Sequence, residues 1–317
     1  MKRIVHAIAV LLIHIVPLFS NGTGWLALGS GTNSSIKAMV SYQGNLIAAG
    51  TFITAGNLPA GKIASWNGTA WSPLAEGLNG DVNALAVFNN ELYAGGQFTV
   101  AGTQTVSNIA KWNGSSWSSV GTGIAGNVFS LTVFNNELVA AGNFTEAGGA
   151  PANYIAKWNG TSWLPFGSGF NAFIRAVTTH NGELIAGGFF TSSGSTSLNR
   201  IAKWNGTEWI NIGDGFNNQV YSLHSDGSFL YAGGIFTLSG SIQLNRIAKW
   251  NGITWSALGS GMDGIVASLY SYNNLLYAGG NFTNAGGIAA SKIAYWNGSA
   301  WSSSGLGFNA QVLTFAV

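Results

Sequence analysis

Four carboxylates stand where acid–base chemistry is possible: Glu76, Asp81, Asp214 and Asp263 all lie in connecting segments rich in Gly and Asn. Paired acids flanking a glycosidic bond can protonate the leaving oxygen and activate water. Here no acid pair recurs at a fixed spacing, so the four are an alternative set for a glycan hydrolase or lyase and not the leading reading. After residue 20 the histidines are His180 and His224, and the chain has no cysteine. Neither histidine has metal-ligand spacing around it, and His224 two residues before Asp226 reads as an incidental neighbour. There is no Ser-x-Asp-x-Gly-x-Thr-Trp box and no Asp-rich calcium loop. No catalytic residue, metal or cofactor is expected.

Binding chemistry has a better foothold. At intervals of 46 residues one position reads Lys37, Asn83, Phe129, Arg175, Tyr221, Ala267 and Leu313. Its neighbours repeat and it does not, so the scaffold does not dictate it. Lys37, Asn83, Phe129, Arg175 and Tyr221 are types that suit ligand contact and are the candidate binding residues; an ordinary exposed position is the competing reading. A nearby apolar series, Leu78, Ile124, Phe170, Phe216, Met262 and Phe308, reads as loop packing. Eight of the twelve bases cluster in one segment of the repeat: Lys111, Lys157, Lys203 and Lys249, with Lys62, Arg200, Arg246 and Lys292 three residues before that position. A stripe for anionic polysaccharide is one explanation; solubility and protection of an outer edge is the favoured one. Asn-x-Ser/Thr triplets such as Asn67-Gly68-Thr69 and Asn143-Phe144-Thr145 follow from turn and strand chemistry and carry glycans only in a host that glycosylates.

The elements that hold these residues follow from the repeat. Trp-Asn-Gly begins at Trp66, Trp112, Trp158, Trp204, Trp250 and Trp296, and a second Trp falls at 25, 71, 117, 163, 209, 255 and 301. The two series contain all 13 tryptophans, without insertion or deletion. Each unit reads as four short strands: a (Val82 to Phe88), b (Leu92 to Thr99), c (Ile109 to Trp112) and d (Ser116 to Val120). Asn89-Asn90 between a and b, and Asn113-Gly114 between c and d, predict two-residue hairpins with both residues at φ > 0. No segment has capped helical periodicity. Four strands per unit of about 45 residues predict an all-β β-propeller. Blades separate outward from an axis, so small residues belong inside. Strand a supplies Ala84, Ser130, Ala176, Ser222 and Ser268, and strand b supplies Gly50, Gly96, Gly142, Gly188, Gly234 and Gly280. The tryptophans fill the wider outer gaps, which makes them interblade core before they are sugar platforms. The b–c and d–a connections share one face, which the candidate residues border.

Gly95-Gly96 closing strand b, Trp112 in strand c and Trp117 opening strand d, with their copies, resemble kelch repeats. Runs such as Ile-Ala-Lys-Trp-Asn-Gly-Ser-Ser-Trp are closer to kelch-like propellers of secreted bacterial proteins. They also resemble the extracellular propeller of fungal cell-polarity cortical markers. The resemblance spans 25–317. It departs from kelch in having Trp-Asn-Gly where a Tyr-Asp pair is usual, and Ala49-Gly50 and Ala141-Gly142 for Gly-Gly; the Gly-His and Trp-Asp marks of WD40 repeats are missing. It implies a propeller fold and a binding role, and transfers no catalytic residue.

The composition now has a reading. Charged residues are only 7% of the chain, but hydrophobic residues at 47% and aromatics at 13% exclude disorder. Met1-Lys2-Arg3 followed by an apolar stretch to Leu18 predicts a signal peptide over 1–20, with the propeller from 21 to 317. An uncleaved membrane anchor is the competing reading, disfavoured because the stretch is shorter than a membrane-spanning helix needs. Without Lys2 and Arg3, ten bases balance ten acids, which leaves no electrostatic footprint for nucleic acid and makes attraction to anionic lipid a poor explanation of function. Gly, Asn, Ser and Thr interrupt every apolar run after residue 20, so no membrane insertion of the mature protein is expected. Strands a and d each recur seven times, the last a at Val312 to Val317, but b and c only six. That count predicts six complete blades plus end strands, from a parent ring of seven or more blades that is incomplete at the C-terminus; a six-bladed ring with spare end strands is the alternative. The expectation is a secreted or cell-surface protein, extracellular or periplasmic. It would be a non-enzymatic binding or scaffold module that takes a protein or polysaccharide on its b–c/d–a face.

Overall fold

A computed structural model describes residues 25–317; the expected leader at 1–20 lies outside the described residues. The chain is an all-β propeller of six four-stranded blades, each ordered a-b-c-d and antiparallel throughout. No helix among the described residues is long and apolar enough to cross a membrane. Two compact units are distinguished: one runs to Gly123 and includes Leu313–Val317, the other is Ile124–Val312. The first holds blades 1 and 2, the second blades 3 to 6.

Blade 2 illustrates why these residues form strands. Strand a, Asp81–Phe88, alternates buried and half-buried positions, with Val82, Ala84, Ala86 and Phe88 inward. The register Phe88↔Glu91 leaves Asn89 and Asn90 as a two-residue turn, with φ of 49° and 61°. Asn tolerates this left-handed region better than other residues with a Cβ, and the primed turn matches the twist of the strands. Blade 5 departs from the pattern. Its a–b turn has four residues between Ser225 and Leu230, and the Asp226 carboxylate accepts the amides of Ser228 and Phe229 at 2.8 and 2.7 Å.

The c–d turns differ from the sequence expectation. Trp112 pairs with Trp117, so four residues form the turn, not two. Asn113 does not take positive φ; only Gly114 does, at 103°. Asn113 Oδ1 instead accepts the amides of Ser115 and Ser116, each at 2.9 Å, the local acceptor role that favours Asn in such turns. Residues 25–28 and 312–317, expected as end strands, carry no ladder. The b–c connections, expected as loops, carry small ribbons such as Val100–Ala101 with Gln104–Thr105.

An Asn anchors these ribbons. The side-chain oxygen of Asn79 accepts the amides of Thr99 and Val100 at 3.0 Å each, and Asn171 and Asn217 do the same one repeat apart. Blade 3 has Ala125 at that position. There the backbone pairs directly, and strands a and b lengthen to 11 residues, Ile124–Phe134 and Glu137–Ala147.

The outer seams are made by tryptophan. Each blade pairs its two rings, 5.3 Å apart for Trp112–Trp117 and 5.5 Å for Trp204–Trp209. The second indole of a pair then donates Nε1–H to a carbonyl 43 residues earlier, in the preceding outer strand segment. In the first unit Trp117 reaches Leu74 at 3.1 Å and Trp71 reaches Leu28 at 2.8 Å. In the second, Trp209 reaches Phe166 at 3.3 Å, Trp255 reaches Ile212 at 2.9 Å and Trp301 reaches Leu258 at 2.7 Å. A buried Trp removes ~150–250 Å² from water, worth about 4–6 kcal/mol as an upper bound at ~25 cal/mol/Å². The apolar clusters accordingly lie between blades. In the second unit, one joins Ile155 and Phe166 to Leu184 and Trp209, another Ile185 and Ile201 to Leu230 and Trp255.

Trp209→Phe keeps an aromatic ring in the seam but removes the donor to Phe166. It should cost about 1–2 kcal/mol, read as a lower urea midpoint at constant slope. An unchanged midpoint would show that the indole hydrogen bond does not hold the seam.

Candidate functional site

The residues singled out by their variability share a backbone feature. In every blade the register of strands a and b shifts across one residue: between Ile36 and Ala38, Val82 and Ala84, Val128 and Ser130, Ile174 and Ala176, Val220 and Ser222, and Val266 and Ser268. The residue skipped is Lys37, Asn83, Phe129, Arg175, Tyr221 or Ala267. Each candidate is a β-bulge residue that the register passes over, and a bulge re-aims the side chain it carries. The glycine opposite makes the bulge possible. A Cβ on Gly96 would collide with the Asp81 carbonyl, and one on Gly142, Gly234 or Gly280 with that of Asn127, Gln219 or Ile265.

In the second unit the bulges of blades 3, 4 and 5 converge. The Arg175 guanidinium lies 4.7 Å from the Phe129 ring centre and 5.5 Å from that of Tyr221, within cation–π range of both. Two further rings complete the group. Phe173 stacks on Phe189 at 4.0 Å and 28°, meets Phe129 edge-on at 5.9 Å, and Phe189 meets Tyr221 edge-on at 5.8 Å. All five side chains are half-buried. Desolvation pulls the Arg175 pKa below its ordinary value, partly countered by Tyr221. The frame beneath is tied down: Phe189 N–H donates to the Phe173 carbonyl at 3.0 Å, and Arg200 Nη1 to the carbonyls of Phe189 and Phe190 at 3.0 and 3.2 Å. Sequence reasoning missed Phe173 and Phe189. Both stand at positions that also vary between repeats (Phe173 with Ser35, Asp81, Asn127, Gln219 and Ile265), so the same comparison contained the signal.

The first unit puts its candidates to a different use. Lys37 Nζ donates to Asp81 Oδ2 and to Asn83 Oδ1, each at 3.1 Å. The pair is exposed enough to contribute ~0–1 kcal/mol. Lys37 and Asn83 are thereby brought together, and Asp81 serves as a counter-ion.

The remaining acids separate. Asp263 stands in the repeat position of Asn79, Asn171 and Asn217 and does their work: Oδ1 accepts the amides of Thr283 and Asn284 at 2.8 and 2.9 Å, while Oδ2 accepts Thr283 Oγ1 and Asn284 Nδ2. Burial acts to raise its pKa, but these hydrogen bonds outweigh it and hold the carboxyl well below the usual range. Glu76 and Asp214 are exposed and border the turning glycines Gly102 and Gly240. Among the described residues no group of three or more His, Cys, Asp or Glu is placed to hold a metal.

His180 and His224 are struts. His180 Nδ1 lies 2.8 Å from Ser225 Oγ. His224 Nε2 accepts Ser271 N–H at 2.9 Å, which fixes a neutral ring protonated on Nδ1. Burial lowers both pKa values, with Asp226 opposing at each and Glu183 also at His180.

The bases are similarly committed. Lys111, Lys157 and Lys203 pair with Glu91, Glu137 and Glu183 at 2.8–2.9 Å, and Lys249 lies 4.6 Å over Phe229. Lys62, Arg200 and Arg246 cap backbone carbonyls, and Lys292 reaches Asn281 Oδ1. These side chains close contacts in the frame, where the sequence suggested edge protection. The apolar loop series is packed: Phe170 lies 4.2 Å from Phe190 and Phe216 4.0 Å from Phe236. A cleft of about 590 Å³ opens on the opposite, a–b/c–d face, lined by Phe166, Trp204 and the paired Glu137 and Lys157.

Residues 25–175 match the family model described as the Rax2 C-terminal beta propeller domain. No curated protein matches the chain in sequence. Among solved structures the chain is similar to the WD40 beta propeller domain of Doa1, at 13% identity and TM-score 0.62 over 92% of this chain and 90% of that one. It is also similar to the computationally designed Ika8 protein, at 16% identity and TM-score 0.56 over 90% of this chain and 79% of that one. At such identities the likeness is one of fold: the propeller appears here without the WD40 sequence marks.

Asp263→Asn should shift stability by no more than ~1 kcal/mol, because Asn fills the same bracket in other blades; Asp263→Ala should cost about 1–3 kcal/mol by freeing two amides. Equal losses for both variants in denaturant titration would contradict the bracket. The histidines give a pH dependence. Their folded pKa values lie below the ordinary ~6.5, so the unfolded chain binds more protons in between. Their stabilisation is complete above that value and is lost as pH falls through the lowered folded values. The melting temperature should fall from pH 7.5 to pH 5, and His180→Gln/His224→Gln should flatten that fall; a wild-type melting temperature constant over this range would refute it.

Proposed function

We propose that this protein is a secreted, non-enzymatic binding or scaffold propeller that recognises a protein or glycan through its b–c/d–a face. The observation that carries the reading is that a position of strand a which does not repeat, between neighbours that do, is a bulge in every blade. In the second unit three such bulges gather Phe129, Arg175 and Tyr221 beside Phe173 and Phe189. A frame this repetitive has no packing reason to vary there, and binding residues concentrate where a rigid scaffold presents side chains it does not itself need. The basic start and apolar stretch of residues 1–18 support export, and the kelch-like pattern of Gly-Gly and Trp supports a recognition role. The engagement of Asp81 by Lys37, and of Asp263 by Thr283 and Asn284, weighs against mouth carboxylates as a catalytic pair.

A glycan array and a protein-ligand screen on purified protein, each followed by a turnover assay, test this reading. Saturable binding with the ligand recovered intact is the expected result. Turnover that disappears in Asp214→Ala or Asp263→Ala would establish a glycan hydrolase or lyase instead.

A further inference from the structure

The repeat contains its own control for a charge on a bulge. Lys37 in blade 1 finds its counter-ion 44 residues on, at Asp81. Arg175 occupies the same repeat position in blade 4, and the residue 44 further on is Gln219. Gln219 does not serve it: its Oε1 accepts the Tyr221 hydroxyl at 3.1 Å. Phe173 stands at the repeat position that is Asp81 in blade 2. Among the described residues the Arg175 guanidinium has two aromatic neighbours and neither a hydrogen-bond acceptor nor an acid partner. A guanidinium is planar, permanently charged and able to grip a carboxylate with two parallel N–H donors. Held between two rings, it has already lost part of its hydration and rotamer freedom, the two main costs of binding.

The rings narrow the choice of ligand. A sugar needs an open aromatic face. Here each ring already has one face engaged: Phe173 and Phe189 stack on one another, and Phe129 and Tyr221 each turn a face to the guanidinium. A cation without an acid partner among these rings suits an acidic side chain flanked by apolar ones better than a neutral sugar. We infer that Arg175, with Phe129, Tyr221, Phe173 and Phe189, forms a carboxylate-recognition site for an acidic peptide segment of a partner protein, with Arg175 the residue that the acid must reach. The inference rests on the binding reading above and gives that site its ligand class.

Fluorescent peptides of matched sequence, one with Glu and one with Gln between apolar residues such as Leu and Phe, test it by fluorescence anisotropy on the full chain. Oligogalacturonate and its neutral methyl ester form a second arm. The Glu peptide should bind at least about tenfold more tightly than the Gln peptide, and more weakly as salt rises. Arg175→Met should remove that preference. Gln219→Glu places a carboxylate where Lys37 already has one, and should suppress binding by occupying Arg175 from within, with the melting temperature retained. Equal binding of Glu and Gln peptides, or a preference indifferent to both substitutions, overturns the inference. Binding of oligogalacturonate with no acidic peptide bound also overturns it, in favour of a uronate site. A ligand from the wider screens that binds Arg175→Met as tightly as the wild type removes this site and leaves the binding function standing; absence of any saturable ligand removes both.

Discussion

The approach of strand b to the bulge in strand a is the constraint from which most of the molecule follows. Each bulge pushes a carbonyl toward the neighbouring strand, and only a residue without a Cβ leaves room for it. Gly96 against Asp81 and Gly280 against Ile265 are two cases of one geometry. The glycine therefore fixes where strand a kinks, the kink fixes which residue drops out of the ladder, and that residue is one the frame leaves undetermined. The abundance of glycine, 46 in 317 residues, has part of its cause here and part in turns such as the one closed by Gly114.

Outside the bulges, indole hydrogen bonds from Trp71 and Trp117 in the first unit, and from Trp209, Trp255 and Trp301 in the second, reach the outer strand segment before each. Trp209 and Trp255 measure the same 43-residue interval to their carbonyls as Trp71 and Trp117 do. An added or lost residue within a unit would move the indole out of reach, which accounts physically for a repeat without insertions. Low charge has a similar cause. Strand faces meet other strand faces, and of the bases that remain Lys111, Lys157 and Lys203 are taken up by Glu91, Glu137 and Glu183, and Lys62 and Arg200 by backbone carbonyls.

Much of this was legible in the sequence because it depends on residue type at fixed spacing. The period, the four strands, the Asn89-Asn90 turn and the placement of Trp in the outer gaps between blades all reduce to such patterns. Asn113-Gly114 was misread because the same dipeptide serves two turns, one set by backbone φ and one by the side-chain oxygen, and neighbouring residues decide between them. Asp263 looked chemical because of its charge, although its alignment with Asn79, Asn171 and Asn217 already described a backbone bracket. The candidate position was found by its variability, but the bulge that explains it is a matter of ladder pairing and has no residue signature beyond the facing glycine. Phe173 and Phe189 escaped because one comes from a d–a loop and the other follows the end of a b strand, and only the fold lays one on the other.

The bulge has one more consequence. A side chain outside the ladder and outside the seams can be exchanged without disturbing either, so replacing Phe129, Arg175 or Tyr221 asks little of the frame that displays it. Each duplicated unit thus arrives with a vacant letter already in place. A lineage of such units can rewrite the side chains it displays at the bulges by single substitutions, one blade at a time, while the fold is inherited unchanged.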